Sequence, residues 1–221
     1  TWNQRARADK PDWMSPRMAW RAIQSALPKD AIISSDIGNN CAIGNAYPSF
    51  DEGRKYLAPG LFGPCGYGLP SIVGAKIGQP HVPVVGFSGD GAFGIAVNEL
   101  TAIGRDEWPA VTQIVFRNYQ WGAEKRNSTL WFDDNFVGTE LDTKVSYAGI
   151  AQACGLLGVQ VKTMDELTAA LNLAIKDQME NNKTTLIEVI LNQELGEPFR
   201  RDAMKRPVQV AGIDAADMAA E

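Results

Sequence analysis

Five short apolar, β-rich runs recur along the chain: AIIS (31–34), VPVVGFS (82–88), VTQIVF (111–116), GVQVK (158–162) and TTLIEVIL (184–191). Runs this short, without strict alternation of apolar and polar residues, suit strands buried on both faces. Between them the apolar positions take helical spacing. Residues 15–27 read as a helix with Ser15 as N-cap and Pro16 in the first turn, where a missing N–H costs nothing. Further helices are expected over 69–76 with Gly78 as a stop, over 93–103, and over 165–181, the last opened by a Thr163/Glu166 capping box. Strands alternating with helices predict an α/β fold of three layers, with a mainly parallel central sheet flanked by helices, because parallel neighbours require crossovers.

Two long segments break this rhythm. Residues 37–68 are rich in Gly and Asn, and residues 117–145 carry Tyr119, Trp121, Trp131, Phe132 and Phe136. Loops of such length inside a domain are usually functional or disordered, and the aromatics argue against simple disorder in the second. The chain divides into a linker end over 1–14, one domain over 15–195, and a C-terminal tail over 196–221 that is Ala- and acid-rich toward its end.

Composition narrows the classes. Hydrophobic residues at 45% and charged residues at 21% of 221 are values of a globular chain. No apolar run reaches the roughly 18 residues of a membrane span. With 21 basic against 26 acidic residues the net charge is -5, and no Lys/Arg cluster offers a nucleic-acid footprint. Cys41, Cys65 and Cys154 are odd in number and scattered, and no secretory leader is visible, which fits a reducing, cytoplasmic setting. The single histidine, His81, precedes Ser88, the wrong order for an α/β-hydrolase, and one histidine with three scattered cysteines lacks zinc-ligand spacing.

The chemistry concentrates in GFSGDGAFG (86–94). Gly89, Gly91 and Gly94 have the spacing of a dinucleotide fingerprint, but the acidic residue expected about 20 positions on is missing. Asp90 would also meet a pyrophosphate as a like charge. A bound divalent cation reverses that sign, since a carboxylate and diphosphate oxygens can share one ion. Asn118, at the end of the VTQIVF strand, would reach the same sheet edge in a parallel neighbour, and the backbone carbonyl of Gln120 could follow as a third ligand.

Gly-Asp-Gly followed by 26 residues and Asn resembles the diphosphate-binding domain of thiamine-diphosphate enzymes. The resemblance implies thiamine diphosphate and Mg²⁺ as cofactors, with Asp90, Asn118 and the Gln120 carbonyl on the metal. Arg117 stands where the family usually has a first Asn. DIGNN (36–40) matches the segment that meets the terminal phosphate, which nominates Gly38, Asn39 and Asn40. GPCGYGLP (63–70) resembles the segment supporting the bent cofactor, with the Gly63 carbonyl toward the aminopyrimidine and Cys65 between the rings, where relatives carry a larger apolar side chain. Gly89, Gly91, Ala92, Trp121 and Gly122 complete the cofactor set that the resemblance implies.

The stretches YLAPGLFGPCGYGLP and RNYQWGAEKRNSTLWFDDNFVGTELD are similar to one member of the acetolactate-synthase-like branch, and that resemblance implies conversion of sulfoacetaldehyde and phosphate to acetyl phosphate and sulfite. Both substrates are anionic, so Lys125 and Arg126 become candidate substrate cations, with a solvated charge pair as the alternative. The family's catalytic glutamate comes from a pyrimidine-binding domain that nothing here resembles, so it is expected on a missing part of the protein or another subunit of a homo-oligomer. Trp20, Leu61, Phe62 and Trp121 are candidates for that contact or, singly, for the core. Two other readings remain open at this level: acetolactate synthase or another enzyme of the 2-oxoacid decarboxylase type, and a non-catalytic cofactor-holding module.

Overall fold

β3 (Val84–Gly89) and β4 (Thr112–Arg117) are buried at almost every position, as unbroken apolar runs require of strands covered on both sides. They form the centre of a six-stranded sheet in the order β2-β1-β3-β4-β6-β5, completed by β1 (Ile32–Ser35), β2 (Tyr56–Leu57), β5 (Leu157–Val161) and β6 (Thr185–Ile190). Every pairing is parallel. The structure is a computed structural model that describes residues 12–50, 52–53 and 55–195. The expected tail over 196–221 lies outside the described residues, as does the expected linker end apart from residues 12–14.

Alternation along the strands sends side chains to two faces. Ile33, Val85, Phe87, Ile114, Phe116 and Val189 pack with Trp20 and Ile23 of α1 (Pro16–Ala26), Cys41 of α2 (Asn39–Gly44) and Leu167 and Leu171 of α8 (Met164–Glu180). Ile32, Val84, Val115 and Leu186 face the opposite layer, made of α3 (Gly68–Gly78), α4 (Asp90–Ala96), α5 (Leu100–Ile103) and α7 (Tyr147–Ala153). This is the three-layer α/β arrangement that the pattern predicts. The anchor of the first layer is Trp20, 1% exposed, whose ring lies 4.7 Å from Phe87 and 5.3 Å from Phe116. Its Nε1–H donates to the Asn40 carbonyl at 2.7 Å, so the core residue also fixes the start of α2.

All five expected strands are present. The helix expected over 93–103 begins earlier, at Asp90, and a 3-10 turn over Val97–Glu99 divides it into α4 and α5. The two long segments are not structureless: the first contains α2 and β2, and the second contains α6 (Gly122–Trp131). Among the described residues no helix is long and apolar enough to cross a membrane.

From β1 the chain runs outward to β2, then returns past β1 to β3 and continues on the other side. The order therefore reverses between β1 and β3, and in open α/β sheets the crevice beyond the carboxyl ends at such a point is where ligands bind.

Candidate functional site

A narrow cleft opens at this edge. Its wall takes Gly38, Asn39 and Asn40 from the β1–α2 junction, Gly89, Asp90, Gly91 and Ala92 from the β3–α4 junction, and Asn118, Gln120, Trp121 and Gly122 from the chain after β4, with Cys65 beside them. Three separate stretches of sequence thus meet. Ile37, Ala123 and Glu124 also line it; they lie within the sequence motifs but are not among the nominated residues.

The helices that begin here share a feature. α2, α4 and α6 start at Asn39, Asp90 and Gly122, and none has a side-chain hydrogen bond at its N-cap. Of the helices that begin elsewhere, α1, α7 and α8 are capped by Ser15, Ser146 and Thr163, whereas α3 and α5 also lack a side-chain cap. Uncapped first turns leave backbone N–H groups and a partial positive charge directed at the cleft, the ordinary environment for a phosphate group.

Asp90 is buried at the floor, 1% exposed. Its Oδ1 accepts the Gly91 N–H at 3.0 Å. Its Oδ2 accepts the Tyr119 N–H at 2.6 Å and Arg117 Nη1–H at 3.1 Å. Burial pushes the carboxyl up to about 6, against the opposing pull of the Arg117 charge and the amide bonds. Register explains the juxtaposition of Asp90 with Asn118: Gly89 pairs with Phe116, so both side chains emerge just past adjacent strand ends. The chain then bends at Tyr119, which has φ 62. That left-handed turn costs roughly 1 kcal/mol for a non-glycine residue, and is held by the Tyr119 N–H to Asp90 and the Tyr119 carbonyl accepting from Leu141 at 2.9 Å.

Close approach demands Gly91. A Cβ there would lie 2.7 Å from the Trp121 ring. Asn39 Nδ2 donates to the carbonyls of Gly122 at 3.1 Å and Leu195 at 2.9 Å, clasping the start of α6. Two buried amide oxygens of cleft residues, Asn40 Oδ1 and Gln120 Oε1, have no protein hydrogen-bond partner. Such atoms are costly unless something else meets them.

Beneath the wall Asp36 does work that sequence reasoning passed over, although it opens the DIGNN motif. Its Oδ1 accepts from the N–H groups of Ile37 (2.9 Å) and Gly66 (3.1 Å), and its Oδ2 from Gly68 N–H (2.9 Å) and the Ser88 hydroxyl (3.1 Å). One carboxylate thereby ties the end of β1, the 63–68 loop and β3 together. Cys65 on that loop is half-buried, and burial, with Asp36 and Glu124 adding to it, pushes its thiol up.

Three expected site residues do not line the cleft. Gly63 has φ +60 and sits behind Ile37, whose side chain would be 3.6 Å from a Cβ at that position. Lys125 departs from the expected substrate-facing and solvated roles alike: it is 6% exposed and its Nζ is 2.7 Å from Glu140 Oε1 and 3.3 Å from Gln193 Oε1. A buried ammonium needs a partner, and Glu140 supplies it, fastening the 139–141 strap to α6. Arg126 is half-buried, with Nε lacking a hydrogen-bond partner. Of the suggested contact residues, Trp20 is core and Trp121 lines the cleft, while Leu61 and Phe62 are 107% and 92% exposed.

Among the described residues no three His, Cys, Asp or Glu side chains gather into a metal-holding group. A cation in the cleft would therefore rest on one carboxylate with amide and backbone oxygens, a hard-oxygen donor set of the kind that suits Mg²⁺.

Comparison with known proteins bears on the same residues. A family model described as "Thiamine pyrophosphate enzyme, C-terminal TPP binding domain" matches residues 36–189. The chain is 84% identical over 218 residues to a sulfoacetaldehyde acetyltransferase of Roseovarius nubinhibens, covering 99% of this chain and 36% of that protein. It is 78% identical to the Rhodobacter capsulatus protein of the same name, again over 99% of this chain and 37% of that one. It thus spans little more than a third of the length of these relatives. Among solved structures, the thiamine diphosphate-dependent 4-hydroxybenzoylformate decarboxylase of Rhodococcus jostii superposes with a TM-score of 0.74 at 23% identity, over 88% of this chain and 35% of that one, a likeness of fold. With that match running from the Asp36 scaffold to β6 through every segment of the cleft, the chain belongs to the thiamine pyrophosphate enzymes, as their C-terminal TPP binding domain.

Proposed function

We propose that the cleft holds the diphosphate of thiamine diphosphate and a Mg²⁺ ion, within an enzyme that converts sulfoacetaldehyde and phosphate to acetyl phosphate and sulfite. The observation that carries the site reading is a buried carboxylate, Asp90, at the floor of a cleft onto which three uncapped helices open. An acid in that place repels phosphate unless a cation stands between them. The residues present fit such a pair: Asp90, Asn118 and the Gln120 carbonyl would hold the ion. The first turns of α2, α4 and α6, with Gly38, Asn39, Asn40, Gly89, Gly91, Ala92 and Gly122, would receive the phosphates. The unpartnered amide oxygens of Asn40 and Gln120 are acceptors, and so support a cation or a hydrogen-bond donor in the cleft.

When bound, the cofactor supplies a stabilised carbanion and an electron sink, which suits cleavage next to an aldehyde carbon. This chain's residues anchor and orient; Trp121 and Cys65 would flank the bound group from the cleft wall. The catalytic glutamate is expected on a pyrimidine-binding domain elsewhere in the protein or on another subunit of a homo-oligomer, and exposed Leu61 and Phe62 suit that contact. The half-buried Arg126 is the remaining candidate for an anionic substrate. A cytoplasmic setting belongs to the same reading, which the three unpaired cysteines support.

Identity of 42 to 84% with proteins named for sulfoacetaldehyde, against 25 to 26% with acetolactate synthase large subunits, favours the sulfonate substrate. The test is an assay of the intact protein with sulfoacetaldehyde and phosphate, and in parallel with pyruvate. Sulfite and acetyl phosphate in equal amounts are expected. Acetolactate from pyruvate without sulfite from sulfoacetaldehyde would overturn the substrate assignment.

A further inference from the structure

Arg117 stands where the family resemblance leads to asparagine, and the cleft gives it no direct contact with a ligand. Its side chain is 1% exposed and lies between two carboxylates that are equally buried. Nη1 is 3.1 Å from Asp90 Oδ2, and Nε is 3.6 Å from Glu188 Oε1, an ion pair beyond hydrogen-bond length. Nη2 donates to the backbone carbonyls of Asp142 and Val145, the latter at 3.2 Å. The Tyr119 and Tyr147 rings lie 4.3 Å and 5.1 Å from its Cζ. Glu188 is held from behind by the Ser146 hydroxyl at 3.1 Å and the Ala148 N–H at 3.2 Å. Neighbouring strands thus bring acid, base and acid together: Asp90 just past β3, Arg117 at the end of β4 and Glu188 within β6.

Two consequences follow. Asp90 Oδ2 already accepts from Arg117 and Tyr119, while Oδ1 accepts only from Gly91, so Oδ1 keeps the open lone pair. Two carboxylates against one guanidinium also leave one negative charge in excess where water is excluded, a costly state until a cation joins it. A divalent ion would turn that excess into one net positive charge facing a diphosphate.

On the thiamine-diphosphate reading, we propose that Arg117 is a positioning residue of the metal site: it fixes Asp90 as a one-oxygen ligand and, with Glu188 behind it, sets the charge that the cation meets. Arg117 and Glu188 then act on the ion through Asp90, with opposite signs. The experiment uses the intact protein, stripped of metal and then supplied with Mg²⁺ and thiamine diphosphate, as wild type, Arg117→Gln, Arg117→Lys and Glu188→Gln. Calorimetry and thermal midpoints are read. Glu188→Gln removes negative charge and is expected to weaken Mg²⁺ binding by about tenfold. Arg117→Gln lowers the metal-free midpoint and gains about twice the wild-type shift on adding Mg²⁺, whereas Arg117→Lys keeps a cation and restores the wild-type shift. Should Arg117→Gln fail to fold, the Mg²⁺ affinity of Glu188→Gln decides alone. Variants that lose the same stability with and without Mg²⁺ and bind it like wild type would overturn this inference alone. A wild type that ignores both Mg²⁺ and cofactor would overturn the cofactor reading, and this one with it.

Discussion

Gly91 and Gly44 show how one methyl group reads differently in two places. At Gly91 an added Cβ would lie 2.7 Å from the Trp121 ring, which borders the open cleft. The ring can yield into the cleft, so Gly91→Ala is expected to cost cofactor affinity by about tenfold or more while leaving the midpoint nearly unchanged, Ala being the better helix former by roughly 0.5–1 kcal/mol. At Gly44 the Cβ would lie 2.1 Å from the buried Trp20 ring, which has nowhere to go. Gly44→Ala should therefore destabilise by about 3 kcal/mol or more in denaturant unfolding. Cysteines differ in the same manner. Burial pushes the Cys41 thiol up to about 12 and seals it in the core, so it should resist maleimide until unfolding. Cys65, at the cleft, should react slowly at pH 8 and be protected when Mg²⁺ and thiamine diphosphate are added; equal labelling with and without them would remove it from the cofactor wall. The meeting of Asp90 and Asn118 at one cleft was legible in the sequence because it attaches to a spacing. Arg117 was not, since its meaning depends on Glu188, a residue that only strand order brings alongside.

At the level of elements, α8 was readable down to its cap. The Thr163 hydroxyl accepts the Glu166 N–H, and the Glu166 carboxylate accepts back from the Thr163 and Lys162 N–H groups. Thr163→Ala is expected to cost about 1 kcal/mol in unfolding free energy. The Lys162 and Thr163 hydrogen bonds hold the Glu166 carboxyl below its ordinary value of 4.5. A carboxyl depressed in the folded state contributes its stability above the ordinary value and loses it as pH falls through the folded one. The stability gap between wild type and Glu166→Ala should accordingly be full at pH 7 and shrink below pH 4.5; a gap independent of pH would count against the cap. α2 and α6 were illegible for the opposite reason. Helix starts are recognised by their capping residues, and these two, with α4, lack side-chain caps. The lack that leaves their N–H groups for a ligand also hides them in long segments rich in Gly, Asn and aromatics.

For the whole molecule, strand and helix alternation gave the layers, because burial on two faces leaves a plain apolar signature. Sheet order did not appear in that signature. It depends on which crossovers pack against which face, and it is the reversal between β1 and β3 that gathers three distant segments around one cleft. Everything functional then turns on whether Asp90 and Asn118, at neighbouring strand ends, hold a cation that anchors a diphosphate. The direct measurement is calorimetric titration of thiamine diphosphate into the intact protein, with and without Mg²⁺, for wild type, Asp90→Ala and Asn118→Ala. The account predicts binding by wild type only in the presence of Mg²⁺ and its loss in both variants while their metal-free folds persist; an Asp90→Ala protein that binds the cofactor as tightly as wild type would contradict it.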